Sequence, residues 1–143
     1  MQYTQLRHHH IIRIDTGEMV HATLHEYCNR HEIPSTLVQG NGDVEFVRYG
    51  IYNREQKEYL YKESHEHLQV TYFNGTIARK YNSPYLLTYG IFTNDNHSTF
   101  GGKIDEMRVA TQFEIILTPL SAEITRLHND TTGIDELDLY YKK

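Results

Sequence analysis

The stretch HHHIIRIDTGEMVHATLHEYCNRHEI, residues 8–33, decides the fold, because it places a strand directly before a helix. Leu6–Ile14 contains a β-branched run, which predicts the first strand. Asp15 is a suitable helix N-cap residue, and Glu18 lies three positions later, where its side chain can reach back to the cap amide. We therefore expect a helix to begin here.

The predicted helix presents one apolar stripe to the rest of the molecule. Its members lie at i, i+4, i+7 and i+8 and are Val20, Leu24, Tyr27 and Cys28. The helix should end near His31, because Pro34 follows shortly afterwards.

Strand character dominates the chain after Pro34. Residues 35–42 predict a short strand that leaves through a glycine turn, and residues 43–53 predict an alternating strand. Asn74 and Gly75 lie inside a further strand pattern, which indicates a bulge or a close backbone approach.

The two longest apolar strands are predicted at Pro84–Thr93 and Met107–Thr118, separated by the turn-rich NDNHS, residues 94–98, and by Gly101 and Gly102. One strand, one helix and then many strands define an α+β fold, with a curved, largely antiparallel sheet and the helix packed on one face. We expect a single domain over residues 1–143, with disordered ends at residues 1–5 and 139–143.

Charge and composition restrict the function. The chain carries 14 Lys and Arg against 19 Asp and Glu, a formal net charge of -5, and it contains no basic run, so binding to duplex DNA is disfavoured. No segment is long and apolar enough for a membrane span. The single cysteine, Cys28, cannot form an internal disulfide, which agrees with a cytoplasmic location.

Histidine is abundant, with 10 residues, so metal sites require consideration. His21, His25 and Cys28 share one predicted helix face, and His65 and His67 share one strand face. Neither group has a complete ligand set, and boundary or solvated histidines are the preferred interpretation of both. His8 and His10 face the same way, so only those two of the N-terminal three could cooperate. We predict no cofactor. The sequence has no catalytic serine or cysteine motif, and Cys28 on an apolar stripe favours inert core.

Five ordered motifs together resemble the PPC domain (plants and prokaryotes conserved domain). Residues 8–33 resemble its opening strand, Asp-x-Gly-Glu segment and helix. VQGNG, residues 38–42, and YFNGTIA, residues 72–78, are similar to its glycine-rich and Ser-Gly-Asn-Ile segments. FGGKI, residues 100–104, is similar to its Gly-Gly-His-Leu signature, and VATQFEIILTPL, residues 109–120, to its last long strand. The resemblance extends from Leu6 to about Asp138.

The resemblance implies a homotrimer assembled through edge strands. It also brings a DNA-binding label, which single-domain prokaryotic members carry because plant relatives have an AT-hook before this domain. The Arg-Gly-Arg-Pro core of that hook does not occur in this sequence. The resemblance therefore favours a non-enzymatic module that binds a partner protein or a small ligand, with a possible regulatory role.

The resemblance also places a metal site in many prokaryotic members, which have His-x-His before the glycine pair and another His after it. The matching positions here are Leu87, Tyr89 and Lys103, which are poor metal ligands, so we predict no metal site. Gly101 and Gly102 then serve either the hairpin alone or a pocket for a small anion, with Lys103 as its cation and Tyr89 as its wall.

Two rival functions remain at this stage. Binding of DNA by a trimer would need a basic face, and its candidates are Arg7, Arg13, Arg48, Arg79, Lys80 and Arg108. An enzyme acting on a small anionic substrate at Tyr89 and Lys103 would need a lysine whose pKa is lowered by burial.

Overall fold

A computed structural model describes residues 1–139. Within that part of the chain there are nine strands and one helix, in the order β1 Gln2–Gln5, β2 His10–Asp15, α1 Val20–Arg30, β3 Thr36–Asn53, β4 Glu58–Ser64, β5 Leu68–Lys80, β6 Ser83–Asn94, β7 Thr99–Pro119, β8 Thr125–Asn129 and β9 Ile134–Asp138. This confirms the expected one-helix, many-strand composition.

The sheet closes on itself through its four longest strands. β3 pairs with β5 and β7, and β6 also pairs with both β5 and β7, so each of these strands has two neighbours. β1 and β2 extend the sheet beyond β7, and β4 continues the pairing along β3. All of these pairings are antiparallel, and a single parallel bridge, Arg79 with Thr125, joins β5 to β8. The largely antiparallel, curved sheet is therefore confirmed.

The helix packs against β6 and β7, and it buries the predicted apolar stripe. Val20, Leu24 and Cys28 are fully buried, and Tyr27 is 2% exposed. The facing strands contribute alternate residues such as Ile12 to the same core, because successive strand side chains point to opposite faces. No helix within residues 1–139 is long and apolar enough to cross a membrane.

The start of the helix differs from the sequence prediction. Glu18 does accept a hydrogen bond from the Asp15 amide at 2.8 Å, as expected, but Asp15 is the last residue of β2. The helix begins at Val20 after Met19, which provides no side-chain cap. The carboxylate of Glu106 on β7 caps the first turn instead, accepting bonds from the amides of His21 at 2.7 Å and Ala22 at 3.0 Å.

The prediction of a disordered segment at residues 1–5 is wrong. Gln2–Gln5 pairs with β2, and the N-terminal amino group lies 2.8 Å from Asp15 and 3.0 Å from Glu18, which fixes the start of the chain. The first predicted strand, Leu6–Ile14, is correspondingly shorter, because residues 6–9 form the turn between β1 and β2. The predicted disordered end at residues 139–143 lies outside the described residues, apart from Leu139.

Glycine allows close contacts between strands of the sheet. The glycine turn predicted at the end of residues 35–42 is wrong, because β3 continues through these residues with a register shift between Gly40 and Gly42, where β7 lies against the backbone. The expected close approach at Gly75 is confirmed, since a side chain there would collide with the carbonyl oxygen of Leu87 on β6.

Candidate functional site

The hairpin formed by β6 and β7 brings Tyr89 and Lys103 together. The two residues are directly paired across the strands, so their side chains leave the same face of the sheet. This is the face opposite the helix, because the neighbouring residues Thr88 and Ile104 are buried in the core. The two residues predicted to form a pocket are therefore adjacent.

Two tyrosines of β4 complete the surroundings of the lysine. The Lys103 ammonium group donates a hydrogen bond to the Tyr61 hydroxyl at 2.8 Å and lies 4.5 Å from the centre of the Tyr59 ring. A cation over an aromatic face is stabilised by the negative charge of that face. The hydroxyls of Tyr59 and Tyr89 are 3.5 Å apart, so Lys103 lies beside a continuous surface of three phenol groups.

Burial raises the pKa of Tyr59 above its ordinary value, and the neighbouring hydroxyl of Tyr89 adds to the effect. The phenol of Tyr59 therefore stays neutral at physiological pH and can donate a hydrogen bond. Sequence reasoning missed Tyr59 and Tyr61, because β4 reaches Lys103 only through its pairing with β3.

Gly101 and Gly102 are explained by strand contacts. A Cβ at Gly101 would lie 2.6 Å from the carbonyl oxygen of Gly90, and one at Gly102 would lie 2.6 Å from that of Gly50. Both distances are below any normal contact, so the approach of β7 to β6 requires Gly101 and its approach to β3 requires Gly102. Their use in binding a ligand stays a prediction, as does the use of Tyr89 and Lys103.

The C-terminal strand pair, β8 and β9, contacts the sheet on the side that carries Tyr89. Arg126 donates hydrogen bonds to the Thr76 hydroxyl at 2.9 Å and to the carbonyl oxygen of Asp135 at 3.0 Å. Tyr85 donates to the Asp135 carboxylate at 2.7 Å, and the Tyr52 hydroxyl donates to the Thr132 carbonyl oxygen. β8 and β9 are thus tied to β5, β6 and β3 on the side that carries Tyr89.

The histidine and cysteine candidates on the helix do not meet as a metal site. His21 is bonded through Nε2 to the Thr88 hydroxyl at 2.6 Å, whereas His25 contacts Ser83 at 3.2 Å. Cys28 is fully buried, and burial raises the pKa of its thiol to about 12, so it remains a protonated core residue. These contacts agree with the preferred interpretation, in which His21, His25 and Cys28 pack the helix against the sheet and do not bind a metal.

The remaining histidine candidates have separate partners. His67 lies between two carboxylates, 2.9 Å from Asp43 and 3.1 Å from Asp95, whereas His65 is 3.6 Å from Glu63. His10 Nδ1 is 2.6 Å from the Tyr27 hydroxyl. No group of three or more potential metal-ligating side chains is found in the part of the chain that the structure describes. The absence of a metal site at Leu87, Tyr89 and Lys103 stays a prediction that rests on the residue types.

Comparisons with known proteins place the chain in a family. A family model described as the Plants and Prokaryotes Conserved (PCC) domain matches residues 1–121. The chain therefore belongs to this family, which is the one that the sequence motifs resemble and which is called the PPC domain here. The match ends before β8, so Arg126 and Asp135 lie outside it. None of the curated proteins matches the chain.

Solved structures show the same fold. A "putative dna binding protein" from Bacteroides thetaiotaomicron superposes with a TM-score of 0.92 at 20% identity, covering 96% of both chains. A metal-containing protein from Archaeoglobus fulgidus gives 0.86 at 23% identity, covering 97% of this chain and 100% of its own. A "Putative DNA-binding protein" from Ralstonia eutropha gives 0.88 at 21% identity, covering 96% of both. At these identities the likeness shows the fold alone.

Proposed function

We propose that this chain is a non-enzymatic, cytoplasmic PPC-domain module that forms a homotrimer and binds a partner protein or a small anionic ligand in a regulatory role. The observation that carries the proposal is the apolar face of the sheet opposite the helix, which is termed the outer face. Its exposed members are Ile11, Leu37, Tyr72, Tyr89 and Ile91.

The outer face has the composition and shape of an association surface. Each of its five members is between 41% and 52% exposed, and Tyr72 and Ile91 are adjacent across β5 and β6. A groove of about 560 Å³ runs along it, with Ile11, Tyr72 and Ile116 among its walls. An extended apolar surface of this kind is stabilised when another protein surface covers it. We assign a second and a third copy of this chain as its cover.

Native mass spectrometry of protein purified without chelator and without imidazole tests the proposal. We expect a mass of three chains. Tyr72→Glu should produce monomers, because it places a charge in the proposed interface, whereas Tyr81→Glu, at a turn residue that is 89% exposed, should leave the trimer intact. A wild-type protein that is monomeric at micromolar concentration would refute the homotrimer.

DNA binding is the weaker alternative. Five of the six cations that a basic face would need are already paired with carboxylates: Arg13 with Asp15, Arg48 with Asp105, Arg79 with Glu123, Lys80 with Asp135 and Arg108 with Glu45. Phosphate contacts would have to compete with these pairs in a chain of net charge -5. Binding to duplex DNA that weakens steeply as salt is raised would favour this alternative.

An enzyme acting on a small anion is the second alternative. It would use Lys103 as an acid or base and Tyr89 to orient the substrate. The Lys103 ammonium donates a hydrogen bond to Tyr61 and lies over the Tyr59 ring, and a role in binding negative charge agrees better with these contacts. Turnover of an anionic substrate that is lost in Lys103→Ala would favour the enzyme.

A further inference from the structure

Arg126 is a buried cation that has no acidic partner within residues 1–139. The Arg126 residue is only 8% exposed. Its guanidinium donates hydrogen bonds to a hydroxyl and to a carbonyl oxygen, and not to a carboxylate. Its Nε atom is buried and has no hydrogen-bond partner within residues 1–139. A buried charge that is not neutralised is costly, so such a group indicates that a negative charge is missing from its surroundings.

The side-chain carboxylate of Asp135, the residue whose carbonyl oxygen Arg126 contacts, is already engaged by other groups. It lies 2.9 Å from the Lys80 ammonium, 2.7 Å from the Tyr85 hydroxyl and 2.9 Å from His128. Burial opposes its ionisation, but the hydrogen bonds from Lys80, Tyr85 and His128 outweigh burial and lower its pKa to about 2. Asp135 therefore contacts Lys80 directly, and although its charge also favours the charged form of Arg126, no carboxylate within residues 1–139 forms an ion pair with Arg126.

Lys103 is another cation of this region for which the described chain provides no acidic partner. Its contacts within the described chain are the Tyr61 hydroxyl and the rings of Tyr59 and Tyr61. Arg126 donates a hydrogen bond to the Thr76 hydroxyl, and Thr76 pairs with Leu87 on β6, whose side chain leaves the same face as that of Tyr89 two residues further on. The two cations, one on β7 and the other on β8, thus lie on the face that carries Tyr89.

We propose that Arg126 and Lys103, together with the hydroxyls of Tyr59 and Tyr89, form a binding site for a small ligand that carries a phosphate or carboxylate group. This site is termed the anion site. It deepens the proposed function, on which it rests, by naming the class of ligand and by adding a residue outside the segment that the family model matches.

The chemistry of the four groups suits an oxyanion. A guanidinium presents a planar set of N–H donors, and an ammonium adds a second positive charge, so both can neutralise the oxygens of a phosphate or carboxylate. The phenols contribute neutral O–H donors and a flat surface for the remainder of the ligand. A cationic ligand would meet two like charges here, so the site discriminates by charge.

Calorimetric titration with sodium phosphate, and separately with sodium malonate, tests the anion site and distinguishes the two oxyanions. We expect saturable binding of at least one of them with a Kd of about 1 mM or tighter. Lys103→Met and Arg126→Met should each weaken it by about tenfold or more, because each removes one charge-assisted contact. Lys62→Met, which removes an exposed cation of β4, is the matched control and should bind as the wild type does.

Absence of saturable binding to both probes, or unchanged binding by Lys103→Met, would overturn the anion site. Lys103 is partly exposed, so this variant decides the question even where Arg126→Met fails to fold. Native mass spectrometry of the same samples separates the two proposals. A trimer that binds neither probe refutes the anion site alone, whereas a monomer that binds phosphate refutes the homotrimer alone.

Discussion

Two polar clusters on this sheet differ in how their charges are balanced. In the first, His67 lies between Asp43 and Asp95, and Asp43 also accepts bonds from the Thr111 amide at 3.0 Å and the Gln112 amide at 3.2 Å. In the second, the anion site, Lys103 and Arg126 have no carboxylate partner in the described chain.

This difference in charge balance favours a structural role for the first cluster and a binding role for the second. The Asp43 carboxylate satisfies its donors within the chain, and its bonds hold β7 beside the register shift that follows Gly42, so this cluster stabilises the sheet. The anion site leaves positive charge unneutralised, at a cost in stability that a ligand can offset. Substitutions should therefore act on stability in the first cluster and on binding in the second.

The largest expected effect is at Asp43. Asp43→Asn should lower the free energy of unfolding by about 3 kcal/mol, because it removes a carboxylate that is 8% exposed and that pairs with His67 and two backbone amides. Urea unfolding followed by fluorescence measures the change. Asp95→Asn removes the other carboxylate beside His67, which is 82% exposed, and should cost less than about 0.5 kcal/mol. Equal losses in the two variants would contradict the distinction.

Glu106 tests whether a carboxylate satisfied within the chain behaves like Asp43. Glu106→Ala should cost about 2 kcal/mol, because it leaves the first-turn amides of His21 and Ala22 without their cap. Thermal and urea unfolding give the change. Glu26→Ala, which breaks an exposed i, i+4 pair with Arg30, should cost no more than about 0.5 kcal/mol. If the Glu106 variant were as stable as the Glu26 variant, Glu106 would not stabilise the fold in the way expected for Asp43.

The first cluster should also make stability depend on pH. Hydrogen bonds to Asp43 and Asp95 raise the pKa of His67, so its contribution is complete below the unfolded pKa of about 6.5 and is lost as pH rises through the folded value. Burial opposes ionisation of Asp43, but bonds from His67, Thr111 and Gln112 lower its pKa, so its contribution is lost as pH falls through that value. Stability should therefore be greatest between about pH 4 and 6.5.

His67→Asn should flatten the alkaline side of that profile by up to about 1 kcal/mol, a value reduced for the partial exposure of the imidazole. Unfolding curves recorded at closely spaced pH values measure it. His97→Asn, at an exposed turn residue, is the control and should keep the wild-type profile. A His67 variant with the full wild-type slope above pH 6 would show that another group controls this range.

The smallest expected effect on stability is at Lys103. Lys103→Met should change the free energy of unfolding by less than about 0.5 kcal/mol in protein without ligand, because the apolar chain keeps its packing on Tyr59 while one hydrogen bond to Tyr61 is lost. Chemical unfolding in phosphate-free buffer gives the value. A loss as large as that of Asp43→Asn would mean that Lys103 has a structural role.

The sequence predicted the secondary-structure elements that depend on residues close together in the chain. The stripe from Val20 to Cys28 follows helical spacing, so it identified the helix and its buried face. The start of the helix was placed too early, because its cap comes from Glu106 on a distant strand. Gly40 was interpreted as part of a turn, because a turn and a close contact with a neighbouring strand both favour glycine at such a position.

The site could be predicted only in part. Tyr89 and Lys103 were placed together by the resemblance to the PPC domain. Tyr59 and Arg126 join them through tertiary contacts of β4 and β8, and no spacing in the sequence relates these residues to Lys103. The lack of an acidic partner for either cation within residues 1–139, on which the proposed anion site rests, can be recognised only when all neighbouring groups are in position.

The Glu106 cap also has a consequence for the order of folding. A helix of 11 residues is marginal by itself in water, and the carboxylate that completes its first turn is 85 residues away from His21. The helix should therefore gain stable structure only when β7 docks, and not as an early local event. Because the loop between these partners must close first, we expect slow, highly cooperative folding in which helix formation and closure of the sheet occur in the same kinetic step.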